Sequence, residues 1–255
     1  MIINKAIAEK DFAFDYQQTF DGVGATRAAL SKILRSIDLV GWSRREESGR
    51  LDRRAFSRIA TGEGTVFSRR TMTESDTAAV SVLVDCSSSM CWDDRSRIAQ
   101  IVTVQLAKML EQSRVKYAIR GFNGERLTRE AEAVNFIPIK DWGESLQKAK
   151  PKLGHIQHMP ASSTPDYEAL YLSVEELAKL PEHRRILFVI TDSDCFITEH
   201  IKHVHRIADK VGVTIVAIGI QASIVSDVFE NAVSVDNLND LGKSAFKVLL
   251  NSLRK

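Results

Sequence analysis

Val82-Leu83-Val84-Asp85-Cys86-Ser87-Ser88-Ser89-Met90 runs from a short apolar stretch directly into a turn rich in hydroxyls. Asp85, Ser87 and Ser89 form a D-x-S-x-S motif, one carboxylate and two hydroxyls on a tight loop after a strand. That donor set suits a small hard cation. Mg²⁺ takes oxygen ligands in near-octahedral geometry and keeps positions for water or for a group brought by another molecule. Neutral hydroxyls hold the ion without cancelling its charge, so such a site stays electrophilic enough to capture a carboxylate. A serine-rich turn alone also reads as a solvated loop, and the distant context has to decide between the two.

Two segments supply that context. Arg185-Ile186-Leu187-Phe188-Val189-Ile190-Thr191-Asp192 is a second short apolar run ending in an acid, with the length and β-branched content of a strand buried on both faces. Between the runs, Ala161-Ser162-Ser163-Thr164-Pro165-Asp166 opens a helix in which Tyr167, Leu170, Tyr171, Val174 and Leu177 recur at helical spacing. Thr164 is the expected N-cap and Pro165 the first helical residue. Asp85, Ser87, Ser89, Thr164 and Asp192 therefore fall at strand ends and a helix start. In an open α/β sheet those places converge on the crevice at the carboxyl edge, where ligands bind.

The remaining pattern extends the alternation. Strands are expected at Val80–Val84, Val115–Phe122, Val134–Ile139 (an edge strand broken by Pro138), Val213–Ile220 and Ala232–Val235. Helices are expected over Ser96–Ser113, from Thr198 with Ile201, Val204 and Ile207 inward, and over Leu238–Leu253. This is an α/β architecture: a doubly wound, mostly parallel sheet with right-handed crossovers and helices on both faces. It occupies residues 77–255. Residues 1–76 read as an amino-terminal extension, with a helical stripe of Leu30, Ile33, Leu34 and Ile37 followed by a charged arm.

Composition sets outer bounds. A chain of 255 residues with net charge +2 has length for a substantial core, and its charge does not call for nucleic acid or membrane. The start Met1-Ile2-Ile3-Asn4-Lys5 lacks a signal-peptide stretch, and Val213–Ile220 falls far short of the roughly 20 apolar residues of a membrane helix. Three cysteines without regular spacing fit a reducing compartment, so a cytoplasmic location is expected.

Other motifs carry less. Gly242-Lys243-Ser244 lacks the first glycine of a phosphate loop, and Gly22-x-Gly24 and Gly62-x-Gly64 lack the third glycine of a dinucleotide fingerprint. No nucleophile elbow is present, and the chain is not expected to be an enzyme on its own. Arg44, Arg45, Arg50, Arg53, Arg54, Arg58, Arg69 and Arg70 crowd one region. Three readings compete for them: a solvated surface paired with Glu46, Glu47, Asp52 and Glu63, docking to an acidic protein, or contact with nucleic acid. Nucleic acid ranks last, since Trp42, Phe56 and Phe67 are too sparse for a stacking platform. Cys86, Cys91, Cys195, His155, His158, His200, His203 and His205 raise a soft-metal site. Without a recognised ligand spacing, loop filling and exposed helix positions explain them better.

The order D-x-S-x-S, Thr, Asp in alternating strands and helices resembles the von Willebrand factor A domain and its metal-ion-dependent adhesion site, over about residues 77–255. Upstream, Gly49-Arg50-Leu51-Asp52-Arg53-Arg54-Ala55-Phe56-Ser57-Arg58 and then Val66-Phe67 resemble the lead-in to the A domain in the carboxyl-terminal half of the cobaltochelatase T subunit. Ser88 and Ser193 stand where the family usually has glycine. The resemblance implies a protein-binding adaptor in which Asp85, Ser87, Ser89, Thr164 and Asp192 hold Mg²⁺ or Mn²⁺. A partner would supply a Glu or Asp to the open position, and the implied partner is an AAA+ ATPase ring of the cobaltochelatase S or MoxR type. One alternative is a non-catalytic subunit of a chelatase that inserts cobalt or magnesium into a tetrapyrrole. Another is a nucleic-acid-associated protein using the arginine arm.

Overall fold

A computed structural model describes residues 2–4, 42–46, 50–51, 67–70, 78–112, 115–126, 132–159, 163–192, 198–222 and 225–235. In chain order the elements are β1 (Ile2–Asn4), β2 (Trp42–Glu46), β3 (Arg50–Leu51), β4 (Phe67–Arg70), β5 (Ala78–Asp85), α1 (Arg95–Gln112), β6 (Lys116–Arg126), β7 (Glu132–Lys140), α2 (Leu146–His155), α3 (Asp166–Ala178), β8 (Arg184–Thr191), α4 (Thr198–Val211), β9 (Val213–Ile220), α5 (Val225–Val228) and β10 (Ala232–Val235).

Residues 1–34 and 77–255 form one unit and residues 35–76 another. The second holds a small antiparallel sheet in the order β2-β4-β3, with Trp42 opposite Arg70 and both Arg44 and Arg50 opposite Ser68. Arg44, Arg45, Arg50, Arg69 and Arg70 thus lie on strands, while Arg53, Arg54 and Arg58 fall outside the described residues. The expected helical stripe around Leu30 and the closing helix Leu238–Leu253 also fall outside them.

In the larger unit, seven strands among the described residues run in the order β1-β7-β6-β5-β8-β9-β10. All neighbours are parallel except β6 and β7. This mostly parallel, doubly wound α/β sheet is the fold expected from the sequence. Its core follows from the period-two alternation of strands buried on both faces. Val80, Val82 and Val84 of β5, with Ile186, Phe188 and Ile190 of β8, face α1 and α2, where Val102, Leu106, Leu110 and Leu153 close the layer. Ala79 and Leu83, with Leu187 and Val189, face the other way onto Leu170, Val174 and Leu177 of α3 and Ile201 and Val204 of α4. Each fully buried Leu, Ile, Val or Phe contributes roughly 1.5–3 kcal/mol relative to exposure.

Right-handed crossovers explain the two layers. The chain steps from β5 to β6 in one direction and from β8 to β9 in the other, so the connecting helices fall on opposite faces. The reversal lies between β5 and β8, so the crevice outside their carboxyl ends is the topological switch point. Helix α4 stops at Gly212, whose φ of 70° puts it in the left-handed region that glycine enters without a Cβ clash.

Some expectations change. Strand β7 is neither at the edge nor broken: β1 pairs with Val134–Phe136, and Pro138 is accommodated where the β6–β7 register shifts between Ile119 and Arg120. Such an irregularity tolerates a residue without an N–H. Helix α2 was not expected, because Pro151 and several lysines mask it. Leu146, Ala149 and Leu153 nonetheless recur at helical spacing, and buried Gln100 of α1 donates to the carbonyls of Leu153 (2.8 Å) and Gly154 (2.9 Å). Helix α3 begins at Asp166 with Pro165, not Thr164, as its N-cap. Of the residues at helical spacing along α3, Leu170, Val174 and Leu177 are buried, whereas Tyr171 is 40% exposed. Among the described residues no helix is long and apolar enough to cross a membrane.

Candidate metal site at the sheet switch point

The last residue of β5 and the first after β8 bring two carboxylates to the switch point. Asp85 and Asp192 are 1% and 2% exposed, so neither is a solvated surface acid. The Ser87 backbone N–H donates to Asp85 Oδ1 at 2.8 Å, closing the turn that follows β5. Thr191 Oγ1 donates to Asp85 Oδ2 at 2.7 Å from the neighbouring strand. Ser87 Oγ and Ser89 Oγ lie 2.9 Å apart, and Ser89 Oγ donates to Asp192 Oδ1 at 2.8 Å. A 3₁₀ turn at Ser88–Cys91, pinned by the Met90 N–H on the Ser87 carbonyl, holds the two serines on one side.

Four of the five residues expected from the sequence are therefore linked in one hydrogen-bonded group: Asp85, Ser87, Ser89 and Asp192. Thr164 is not hydrogen-bonded to them. It is partly buried, and its carbonyl accepts the Asp166 N–H at 2.9 Å. Its segment is nevertheless anchored at the same edge, because the Gly124 N–H donates to the Ser163 carbonyl at 2.8 Å. Gly124 lies two residues beyond Phe122, which pairs with Asp85.

Burial pushes the Asp85 carboxyl up from 3.8 to about 6, and the nearby Asp192 charge adds to the effect. The bonds from Thr191 and Ser87 pull the other way. Two acids drawn out of water so close together call for a cation. The donors are all oxygen, two carboxylates and two hydroxyls, and each carboxylate oxygen retains lone-pair capacity beyond the single bond described. That chemistry fits Mg²⁺ or Mn²⁺ and does not favour a softer ion.

The structure adds three residues that the sequence did not single out. Thr191 tethers Asp85. Arg95, the first residue of α1, places a guanidinium nitrogen 2.9 Å from Asp192 Oδ2. Gln221, just beyond β9, accepts from Arg95 Nε at 3.2 Å and donates to the Asp93 carbonyl at 3.2 Å. Only adjacency to Asp192 could have flagged Thr191. The other two act across 97 and 126 residues of chain and have no local signature.

The soft-ligand cluster does not assemble among the described residues. Cys86 is fully buried with Sγ 3.6 Å from the Val84 carbonyl, and burial pushes its thiol up, away from the thiolate a soft metal needs. Cys91 is exposed, and Cys195 lies outside the described residues. His203 Nδ1 is engaged by the Tyr167 hydroxyl at 3.0 Å. Among the described residues no three His, Cys, Asp or Glu side chains are grouped to hold a metal.

Among solved structures, the chain is similar to the PilB minor pilin from Streptococcus sanguinis, with 14% identity over 73% of this chain and 64% of the pilin and a TM-score of 0.54. It is similar to the open pilus adhesin SpaC of Lactobacillus rhamnosus GG, with 10% identity over 71% of this chain and 30% of the adhesin and a TM-score of 0.53. The likeness to proximal thread matrix protein 1 of the mussel byssus has 18% identity over 70% of this chain and a TM-score of 0.51. The chain spans 47% of the length of that mussel protein, and at such identities the likeness is one of fold. No curated protein matches the chain. Residues 66–253, most of the chain, match the family described as "Cobalamin biosynthesis protein CobT VWA domain", and the chain belongs to that family.

Proposed function

We propose that this VWA domain is a divalent-cation-dependent adaptor that binds a partner protein through an acidic side chain. Asp85, Ser87, Ser89 and Asp192 would hold Mg²⁺ or Mn²⁺, with Thr164 joining from the start of α3, directly or through water. The ion would supply a coordination position for a Glu or Asp of the partner. The observation that carries this reading is the hydrogen-bonded group from Asp85 to Asp192 at the switch point, with all donors oxygen and both acids buried. Family membership supports an AAA+ ATPase of the cobaltochelatase S or MoxR type as the partner.

The test is retention on the immobilised chain from an extract of its native host, with Mg²⁺ and with EDTA, beside an Asp85→Asn variant. An AAA+ ATPase held by the wild type in Mg²⁺ and released by EDTA is the expected result. Retention that survives both EDTA and the substitution would overturn the reading. The family's link to cobalamin biosynthesis supports a second role, as a non-catalytic subunit of a metal chelatase. Reconstitution with an ATPase and a large catalytic subunit would show it as cobalt insertion into a tetrapyrrole that requires this chain.

A further inference from the structure

Asp192 has no exposed side-chain surface, and its second oxygen is held by the Arg95 guanidinium, whose side chain is 21% exposed. Arg95 is itself tethered, since Gln221 accepts from its Nε and bridges to the Asp93 carbonyl. The backbone around this tether is strained. Among the described residues the non-glycine positions with positive φ are Asp93 (50°), Asp94 (57°) and Gln221 (53°), all on this rim. Conformations of that kind persist only where the surroundings enforce them, and they concentrate at functional sites. The fold thus holds a permanent cation against a buried acid of the proposed metal site.

We propose that Arg95 sets the charge of the metal site: it competes with the divalent ion for Asp192, and it leaves the loaded site with net positive charge. The inference rests on the divalent-cation reading above. With Asp85 and Asp192 ionised and Arg95 protonated, the group carries one net negative charge, and a divalent ion makes that one net positive. Without Arg95 the loaded site would be neutral. The guanidinium therefore weakens the hold on the ion and strengthens the attraction for an incoming carboxylate, since both are Coulombic and act in a poorly solvated place. Arg95 is a positioning and charge-setting residue and is not itself a ligand.

Titration with Mn²⁺, followed by the electron paramagnetic resonance of the free ion, separates this from a merely structural role. Arg95→Gln is expected to bind Mn²⁺ at least about fivefold more tightly than the wild type, since a repulsive neighbour is removed. Arg95→Lys, which keeps the charge, should stay near the wild-type affinity. In EDTA the Gln variant should melt below the wild type, because Asp192 loses its cation, and saturating Mn²⁺ should narrow that gap. If Arg95→Gln folds poorly, Gln221→Ala leaves the guanidinium in place but untethered, and should tighten Mn²⁺ binding by a smaller factor. Mn²⁺ binding that Asp85→Asn removes, but that Arg95→Gln leaves unchanged or weakens, overturns the role of Arg95 and leaves the metal site standing. Absence of Asp85-dependent Mn²⁺ binding in the wild type overturns both.

Discussion

Asp85 ends a buried strand, accepts from the Ser87 N–H and the Thr191 hydroxyl, and still has its carboxyl raised to about 6 by burial. A carboxyl raised in the folded state stabilises the fold in acid, and that contribution is lost as pH climbs from about 4 through 6. At neutral pH the ionised group costs about 3 kcal/mol relative to the unfolded chain. Asparagine can still accept from Ser87, and the Thr191 hydroxyl can rotate to receive its amide. Asp85→Asn in EDTA should therefore melt at or above the wild-type temperature at pH 7.5, with the difference shrinking towards pH 5. Mg²⁺ should raise the melting temperature of the wild type only. An unfolded variant, or one that Mg²⁺ stabilises equally, would remove Asp85 from the metal site. Asp85→Ala is a harsher change, since it leaves a buried N–H and a hydroxyl without an acceptor at about 1–3 kcal/mol each. The four residues that converge were legible because a strand end fixes where its next side chains go. Thr191, Arg95 and Gln221 were not, since their roles come from contacts 97 to 126 residues apart.

Strands and helices with dense apolar patterning were readable because burial on both faces leaves few alternatives for runs such as Ile186–Ile190 and Val213–Ile220. Helix α2 was hidden by Pro151, and β1 is too short to carry a period. Close approach at the end of β9 was equally hidden. A Cβ on Gly219 would lie 2.5 Å from the Ala222 carbonyl oxygen and 3.0 Å from Val225 Cγ2, so the turn carrying Gln221 has to move. Gly219→Ala should cost about 1–3 kcal/mol, read as a lower urea midpoint. Gly121→Ala, which would meet only side chains at 3.2 Å and beyond, should cost less. The reverse order would mean that the turn after β9 is adaptable. Helix α4 carries a second dependence. The His205 ring packs edge-on against Phe229 at 5.5 Å, and burial lowers its pKa from 6.5 against the opposing pull of Glu230 and Asp209. A histidine lowered in the folded state stabilises above its unfolded pKa, and that contribution is lost as pH falls. The stability difference between wild type and His205→Phe should therefore move in favour of Phe between pH 7.5 and 5.5. A difference independent of pH would mean that His205 titrates alike in both states.

For the molecule as a whole, the alternation of strands and helices was enough to give the doubly wound sheet from β5 to β10, because a parallel sheet with short connections admits few topologies. Residues 35–76 form a separate unit whose short strands are rich in arginine and carry too few apolar residues for a pattern to emerge. Eight arginines between Arg44 and Arg70 face four acids, Glu46, Glu47, Asp52 and Glu63, whereas the chain overall carries only +2. Arginine stays charged at any physiological pH and forms forked hydrogen bonds to carboxylates, so the excess suits an acidic protein surface. If that unit docks an ATPase ring while the metal site captures one acid, the two contacts are separable. Arg53→Glu, Arg54→Glu and Arg58→Glu together should weaken the complex at saturating Mg²⁺ and leave Mg²⁺ affinity nearly unaltered. Calorimetric titration with Mg²⁺ beside a partner-binding assay reads the two effects independently. A loss of Mg²⁺ affinity in the triple variant would make the arm part of the metal site. No change in either assay would return these arginines to a solvated surface, and the metal site would then have to supply the partner contact alone.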